Sequence, residues 1–343
     1  MRTLTLAAAL AATCAVIHAD FSYQESSQMT GGTMLTVLKL GGPFTRGARG
    51  PQISTVAVRG NRMLRSDKDS TSIIDLDKET ITDIDISKKT YSVTTFAQIR
   101  AAMEKAMAEL RKRDKSADPN MKFKVTANST GQTKDIRGLT AKELLIGMEM
   151  QATDTKSGQT GTFNIANDAY LATVGGYDEV KAFELKLAQK LASTFRPGLE
   201  QMAMTNPNMV QGMAEAAEEL AKVDGVPIQS IVRMGNGSAE ALHAAGQKSD
   251  SQEKGDAKGK SAAATAGAIA GRLGGIGGFG RRNNKAEEKA PADDGKQSAP
   301  AATILMEMTT DLSEFSTAGL AEAKFQVPAG FKEVQSEIAK RAK

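Results

Sequence analysis

From Ile53 to Thr95 the chain alternates short β-prone runs with small polar turns, at a spacing close to ten residues. The runs are 53–58, 63–66, 71–75, 80–86 and 90–95. Arg59-Gly60-Asn61, Asp67-Lys68-Asp69, Asp77-Lys78-Glu79 and Ser87-Lys88-Lys89 separate them. Each turn is too short for a crossover helix, so successive runs must pair as an antiparallel meander. This region therefore excludes a parallel sheet or an all-helical body.

The flanking sequence predicts more sheet and some helix. Strands are expected at 21–29 and 34–40, with the loop 41–50 leading into the meander. After Thr95 the period changes. Phe96, Ile99, Met103, Met107 and Leu110 recur at helical spacing, with Arg100, Glu104, Lys105, Glu109 and Lys112 on the other face. Thr95 and Gln98 form a capping box at the start of this helix. Strands resume at 122–128, 133–137, 144–150 and 161–174. A helix beginning near Asp178 carries Val180, Phe183, Leu187 and Leu191, and Pro197-Gly198 is expected to end it. Asn206-Pro207 opens a further helix with Met209, Met213 and Leu220. The alternating runs 226–234 and 304–308 read as one hairpin. Its tip carries a long insertion at 243–302, rich in Ala, Gly, Lys and Ser, that has too few large apolar residues to order itself. A linker between two domains is the other reading, but too little chain follows it to build a second core. Phe325, Val327, Pro328 and Phe331 close the chain, with a short polar helix at 332–343. The fold class read here is α+β: residues 20–242 and 303–343 form one domain, an antiparallel sheet with helices packed on one face.

Residues 1–19 read as a secretory signal peptide: Arg2, an apolar run over 4–17, and Ala19 at the cleavage point. A retained membrane anchor is the competing reading, but no second long apolar run follows. Cys14 raises a lipid anchor, yet Ala11-Ala12-Thr13 lacks the leucine expected three positions back. Cys14 is the chain's single cysteine. Without it there is no disulfide, thiol nucleophile or cysteine metal site. These features suit an exported bacterial protein, periplasmic or secreted, with no transmembrane segment after signal cleavage. The formal charge of +4 is spread among intermixed acids and bases. That leaves no nucleic-acid footprint, and Arg281-Arg282 reads as part of a solvated loop.

Few motifs point to chemistry. Gly275, Gly277 and Gly280 spell a dinucleotide fingerprint but lack the strand before and the helix after it. Gly267, Gly271 and Gly275 have a helix-packing spacing in a run too polar to span a bilayer. Asp67, Asp69, Asp75, Asp77, Asp83 and Asp85 are numerous enough for calcium, but they fall at turns and on the wet face. His243 stands at the edge of the flexible insertion, where a Ser–His–acid relay would lack a rigid setting. No cofactor is indicated. A carboxylate-pair hydrolase remains a third option, with no pair singled out by its surroundings. Methionine is plentiful. It fills irregular cores, and it also lines deformable apolar cavities. On the second reading the cavity would be lined by Phe96, Ile99, Met103, Met107, Leu110, Met148 and Met150.

Several runs carry a family resemblance. Within 62–96 they are an arginine before a polar turn, Ile73-Ile74-Asp75-Leu76, and Lys88-Lys89-Thr90-Tyr91-Ser92-Val93. Later come Ile136-Arg137-Gly138 before Lys142-Glu143, and Phe325-Gln326-Val327-Pro328-Ala329-Gly330-Phe331. Together they resemble exported bacterial proteins of the uncharacterised DUF4412 type, over most of 20–235 and 303–332. That group is similar to the LolA/LolB-like lipoprotein carriers. The resemblance implies a curved antiparallel half-barrel with helices on its concave face, and it supplies no catalytic residue. Two functions follow as expectations. One is a non-enzymatic envelope protein holding a lipid or lipoprotein acyl chain. The other is a structural or regulatory protein with a plugged cavity that engages an envelope protein partner.

Overall fold

The computed structural model describes residues 20–40, 50–113, 120–153, 160–205, 224–253 and 302–342. The expected signal peptide, most of the loop before the meander, the helix expected after Asn206 and residues 254–301 of the insertion lie outside them. The protein is α+β, built on one unclosed, curved sheet of 12 strands. Its strands are β1 (Phe21–Gly31), β2 (Gln52–Arg59), β3 (Arg62–Ser66), β4 (Ser70–Asp75), β5 (Thr80–Asp85), β6 (Thr90–Thr95), β7 (Asn120–Ile136), β8 (Leu139–Thr153), β9 (Thr160–Ala172), β10 (Val226–Asn236), β11 (Thr303–Ser316) and β12 (Lys332–Glu333). They lie in the order β12-β6-β5-β4-β3-β2-β1-β11-β10-β9-β8-β7. Every pair is antiparallel except β12–β6. The described α-helices are α1 (Thr33–Leu40), α2 (Phe96–Arg113), α3 (Asp178–Thr205), α4 (Ala239–Glu253) and α5 (Glu337–Ala342). No described helix is long and apolar enough to cross a membrane.

The meander β2–β6 falls where the turn spacing places it, and its turns show why. Asp67 Oδ1 accepts the amide protons of Asp69 and Ser70, and Asp75 Oδ1 those of Asp77 and Lys78. Asp85 Oδ1 accepts that of Lys88. Glu79 and Lys89 take positive φ values of 53° and 51° to complete the last two turns. Three of the acidic residues considered for calcium, Asp67, Asp75 and Asp85, are thus turn formers that satisfy the backbone beside them, while Asp77 and Asp83 accept from the Asn61 and Ser72 side chains. Thr95 and Gln98 make the expected reciprocal cap on α2, at 2.9 and 3.1 Å. Strands β10 and β11 pair from Gln229↔Asp311 to Asn236↔Thr303, which is the predicted hairpin with its long insertion.

Five expectations change. Residues 34–40 form α1, not a strand. Gly32, at φ 89°, turns the chain out of the sheet, and both edges of β1 are already taken by β2 and β11. The runs 122–128 and 133–137 are one strand, β7, with a bulge between Ser129 and Thr133. α3 continues through Pro197 and Gly198 to Thr205; a proline removes one hydrogen bond, which a 28-residue helix tolerates. The chain is still helical at His243, where the low-complexity segment is expected to begin, and stays so through Glu253. At the C-terminus Lys332–Glu333 pairs with the edge of β6, and the helix starts only at Glu337.

Period-two alternation gives the sheet two distinct faces, and register carries each face from strand to strand. One carries Phe21, Tyr23, Val56, Val58 and Leu312, and we call it the tyrosine face. Val180 and Phe183 of α3 and Phe96 of α2 pack onto it, with Ile99, Leu187 and Leu191 beside them. Phe21 meets Tyr177 edge-on at 5.7 Å and stacks on Phe315 at 6.3 Å. Burial pushes the Tyr23 hydroxyl up to about 12 and raises that of Tyr177 as well, so both rings act as neutral core. On the opposite side of the meander, Ala57, Leu64, Ile73 and Ile84 are covered by Phe325, with Val327 and Phe331 against them. Arg62 holds this strap, paired with both oxygens of Glu322 at 2.5 and 2.9 Å and stacked over the Phe325 ring.

The plug under α3 carries the stability of this end. Phe183→Ala is expected to lower unfolding free energy by about 3–5 kcal/mol in urea titration, since the cavity cannot collapse among strands. Thr95→Ala, which removes only the α2 cap, is expected to cost about 1 kcal/mol. Equal effects would place the core elsewhere.

Candidate functional site

Of the seven side chains expected to line an apolar cavity, the five that are described, Phe96, Ile99, Met103, Met148 and Met150, do not converge. Phe96 is 1 % exposed and belongs with Ile99 to the plug under α3. Met103 is 50 % exposed on α2. Met107 and Leu110 continue that helix, and their side chains lie outside the described residues. Met148 and Met150 are on β8, with eight strands between β8 and β6 in the sheet order. The cause is topological: α2 leaves the end of β6 near one edge, whereas β8 sits beside the other.

Met148 and Met150 instead belong to a surface of the sheet itself. Val125, Met148, Ile165, Met234 and Met306 stand opposite one another across five strands. Ala127, Ile146, Asn167, Val232, Met308 and Met29 form a second row across six. Register puts both rows on the tyrosine face, beyond the part that α3 fills. Each of these residues is only half-buried, and Phe163, opposite Met150, is 37 % exposed. Asn167 interrupts the second row, and its Oδ1 is buried without a hydrogen-bond partner among the described residues. Such an atom costs about 1–3 kcal/mol, which an optimised core does not carry.

The opposite face holds a site that the sequence reading passes over. α4 packs there on β8, β9, β10 and β11, with Ala239 and Leu242 against Ala166. Beneath it, Arg233 of β10 is 1 % exposed. Its Nη1 donates to Asp168 Oδ2 at 2.5 Å and its Nε to Glu307 Oε2 at 2.8 Å. The other oxygen of Asp168 meets Nδ1 of His243, which is itself buried. Four charged or titratable side chains from β9, β10, β11 and α4 therefore form one chain of contacts. Glycines make room for it. A Cβ on Gly246 would lie 2.0 Å from Arg233 Cζ, and one on Gly147 would lie 2.7 Å from Ala239 Cβ. Burial pushes the Asp168 carboxyl up, but hydrogen bonds from His243 and Arg233 outweigh this and leave it below its ordinary 3.8. Arg233, conversely, is held above its ordinary value by Asp168 and Glu307 despite burial.

His243 also lines a pocket of about 240 Å³ with Thr126, Asn128, Leu145, Ala239 and Glu240. The sequence puts His243 at the edge of a flexible insertion, whereas in the structure it is buried on α4. The signal that could have found it was Arg233, a lone arginine in a strand of the very hairpin whose other strand carries Glu307. Among the described residues, no group of three or more His, Cys, Asp or Glu side chains gathers around a metal position. A separate groove of about 570 Å³ runs between the β4–β6 turns and residues 334–337, with Asp69, Asp83, Asp85 and Glu337 in its walls.

The buried network makes a signed prediction. A carboxylate whose folded pKa is depressed contributes stability that is complete above its unfolded pKa. That contribution is lost as pH falls through the folded value. Arg233→Met leaves Asp168 and Glu307 buried without their cation and is expected to cost about 3–5 kcal/mol at neutral pH. It also raises the folded pKa of Asp168, so the acid limb of stability against pH should move upward. Thermal melts across pH 2–7 (a span around the ordinary carboxylate value of 3.8) check both, and an unmoved acid limb would dissociate Asp168 from Arg233. No family model matches the chain, and no curated protein matches it in sequence.

Proposed function

We propose that this is a non-enzymatic binding protein of the bacterial envelope, and that it holds a lipid or acyl chain against the methionine rows of β7–β11. The observation that carries this reading is the register of those rows. It aligns Met148, Ile165, Met234 and Met306 on one half-exposed apolar surface. Flexible, polarizable side chains suit a ligand of variable shape. The orphaned oxygen of Asn167 argues against reading the rows as an optimised core. The curved, unclosed antiparallel sheet with α2 and α3 on the same face is consistent with the half-barrel of LolA-like carriers, and the leader read in residues 1–19 is consistent with export to the periplasm or beyond. The ligand surface proposed is the far part of the tyrosine face, since Phe96 and Ile99 are consumed by the plug.

A second reading has its own support. Val180, Phe183, Leu187 and Leu191 of α3 fill the part of the hollow nearest the meander. A protein whose trough is wholly filled acts through its outer surface, as a structural or regulatory partner of another envelope protein.

Displacement of a fluorescent fatty acid from the leader-free protein separates the two. The carrier reading expects saturable binding that Met148→Glu with Met234→Glu weakens at least about tenfold, or 1.4 kcal/mol, while Met103→Glu on α2 leaves it unchanged. Absence of saturable binding, or equal loss in both variants, favours the plugged protein. Native mass spectrometry of envelope-purified protein offers a second readout, in which co-purified lipid supports the carrier.

A further inference from the structure

We propose that the pocket under the first turns of α4 is a binding site for a divalent transition metal of the zinc type, with His243 Nε2 and the Glu240 carboxylate as its protein ligands. The argument starts from the imidazole. Asp168 engages Nδ1, and among the described residues no hydrogen bond engages Nε2. His243 lines the pocket, together with Glu240 three residues before it on the same helix. Residues at that spacing lie on one helical face, about 5–6 Å apart at Cβ, which suits two ligands of one ion. A carboxylate on the far nitrogen of a histidine fixes its tautomer and raises its basicity, the usual outer-shell support of a metal-binding imidazole.

That support is unusually well anchored. Asp168 is fixed by Arg233 Nη1, and Arg233 in turn by Glu307, so the carboxylate does not turn away from the ring. The other polar walls of the pocket are the Thr126 hydroxyl and the Asn128 amide, both able to present oxygen. The pocket therefore collects acceptors and holds no cationic side chain among its lining residues, which selects a cation over an anion. The positive end of α4 opposes a cation. Glu149, which accepts the Ala239 amide proton at 3.3 Å, and Glu240 itself offset it. One imidazole and one carboxylate leave the remaining positions to Asn128 and water. An imidazole with oxygen donors suits zinc and its neighbours better than calcium or magnesium. Such a short ligand set implies an ion that exchanges.

The site lies on the opposite face of the sheet from the methionine rows, so this inference and the lipid reading fail independently. The probe is Zn²⁺ alone, titrated into the leader-free protein by calorimetry, with the imidazole signals of His243 followed by NMR. One equivalent of Zn²⁺ is expected to bind and to shift those signals. His243→Ala should abolish binding, and Glu240→Gln, at an exposed position, should weaken it at least tenfold without loss of fold. Asp168→Asn should weaken it about 10–100-fold through the ring's orientation. If that variant unfolds, the Glu240→Gln result and the NMR shift decide. No saturable uptake at millimolar Zn²⁺ would overturn the proposal, as would uptake that His243→Ala and Glu240→Gln leave unchanged.

Discussion

One strand, paired on both edges, joins the two halves of this sheet. In the strand order, β1 stands between β2 and β11, and no other described pairing links the meander β2–β6 to the long-stranded half β7–β11. The first described strand therefore holds together segments almost three hundred residues apart, from Ser22↔Ser316 to Ser22↔Ala57. Tyr23 and Phe21 add apolar weight at this junction. They are the side chains against which Tyr177 and Phe315 close, so ladder and plug support each other. Both proposed binding surfaces lie on the β11 side of that seam, and their geometry depends on its register. A slip of one residue at β1–β11 would invert neither half internally, but it would set Met29 out of line with Met308 and end the second methionine row at β11.

What the sequence made legible was local. The meander and the Thr95–Gln98 cap rest on turn chemistry and period within a few residues, the strands β10 and β11 rest on alternation within each run, and each forms where that pattern places it. What it concealed was decided by distant partners. Residues 34–40 alternate well enough for a strand, but the edges they would need are occupied by segments 20 and about 270 residues away in the pairing. Lys332 and Glu333 look helical until the open edge of β6 is in view, where Lys332 N–H reaches Lys89 O at 3.0 Å and Val334 N–H reaches Tyr91 O at 2.8 Å. His243 was lost for the same reason. Apart from Leu242, its neighbours in sequence are alanines and polar residues, while the groups that hold it come from β9 and, through Asp168, from β10 and β11.

The methionines show a subtler limit. Composition says only that methionine is abundant, and helical spacing draws attention to Met103 and Met107. Cross-strand alignment is invisible without register, because Met148, Met234, Met306 and Met308 are scattered over 160 residues of chain. Once aligned, they occupy a surface too exposed for a finished core and too apolar for an idle one. Isolated apolar side chains at a surface are ordinary, whereas a contiguous apolar patch marks an interaction surface.

The arginine network and the methionine rows are back to back on the same strands, and that arrangement has a physical consequence. Arg233 alternates with Val232 and Met234, so the residues that place the network under α4 are chain neighbours of the residues that place the rows. A fully buried ion group is a poor source of net stability, since desolvation consumes most of its attraction. Its value is geometric: charges that can be satisfied in one register only penalise every other register of β9, β10 and β11. A soft methionine surface imposes no such penalty, because flexible side chains repack after a slip. The rigid face thus fixes the strands that the adaptable face needs in place, and the sheet can present a deformable apolar surface without losing a defined fold.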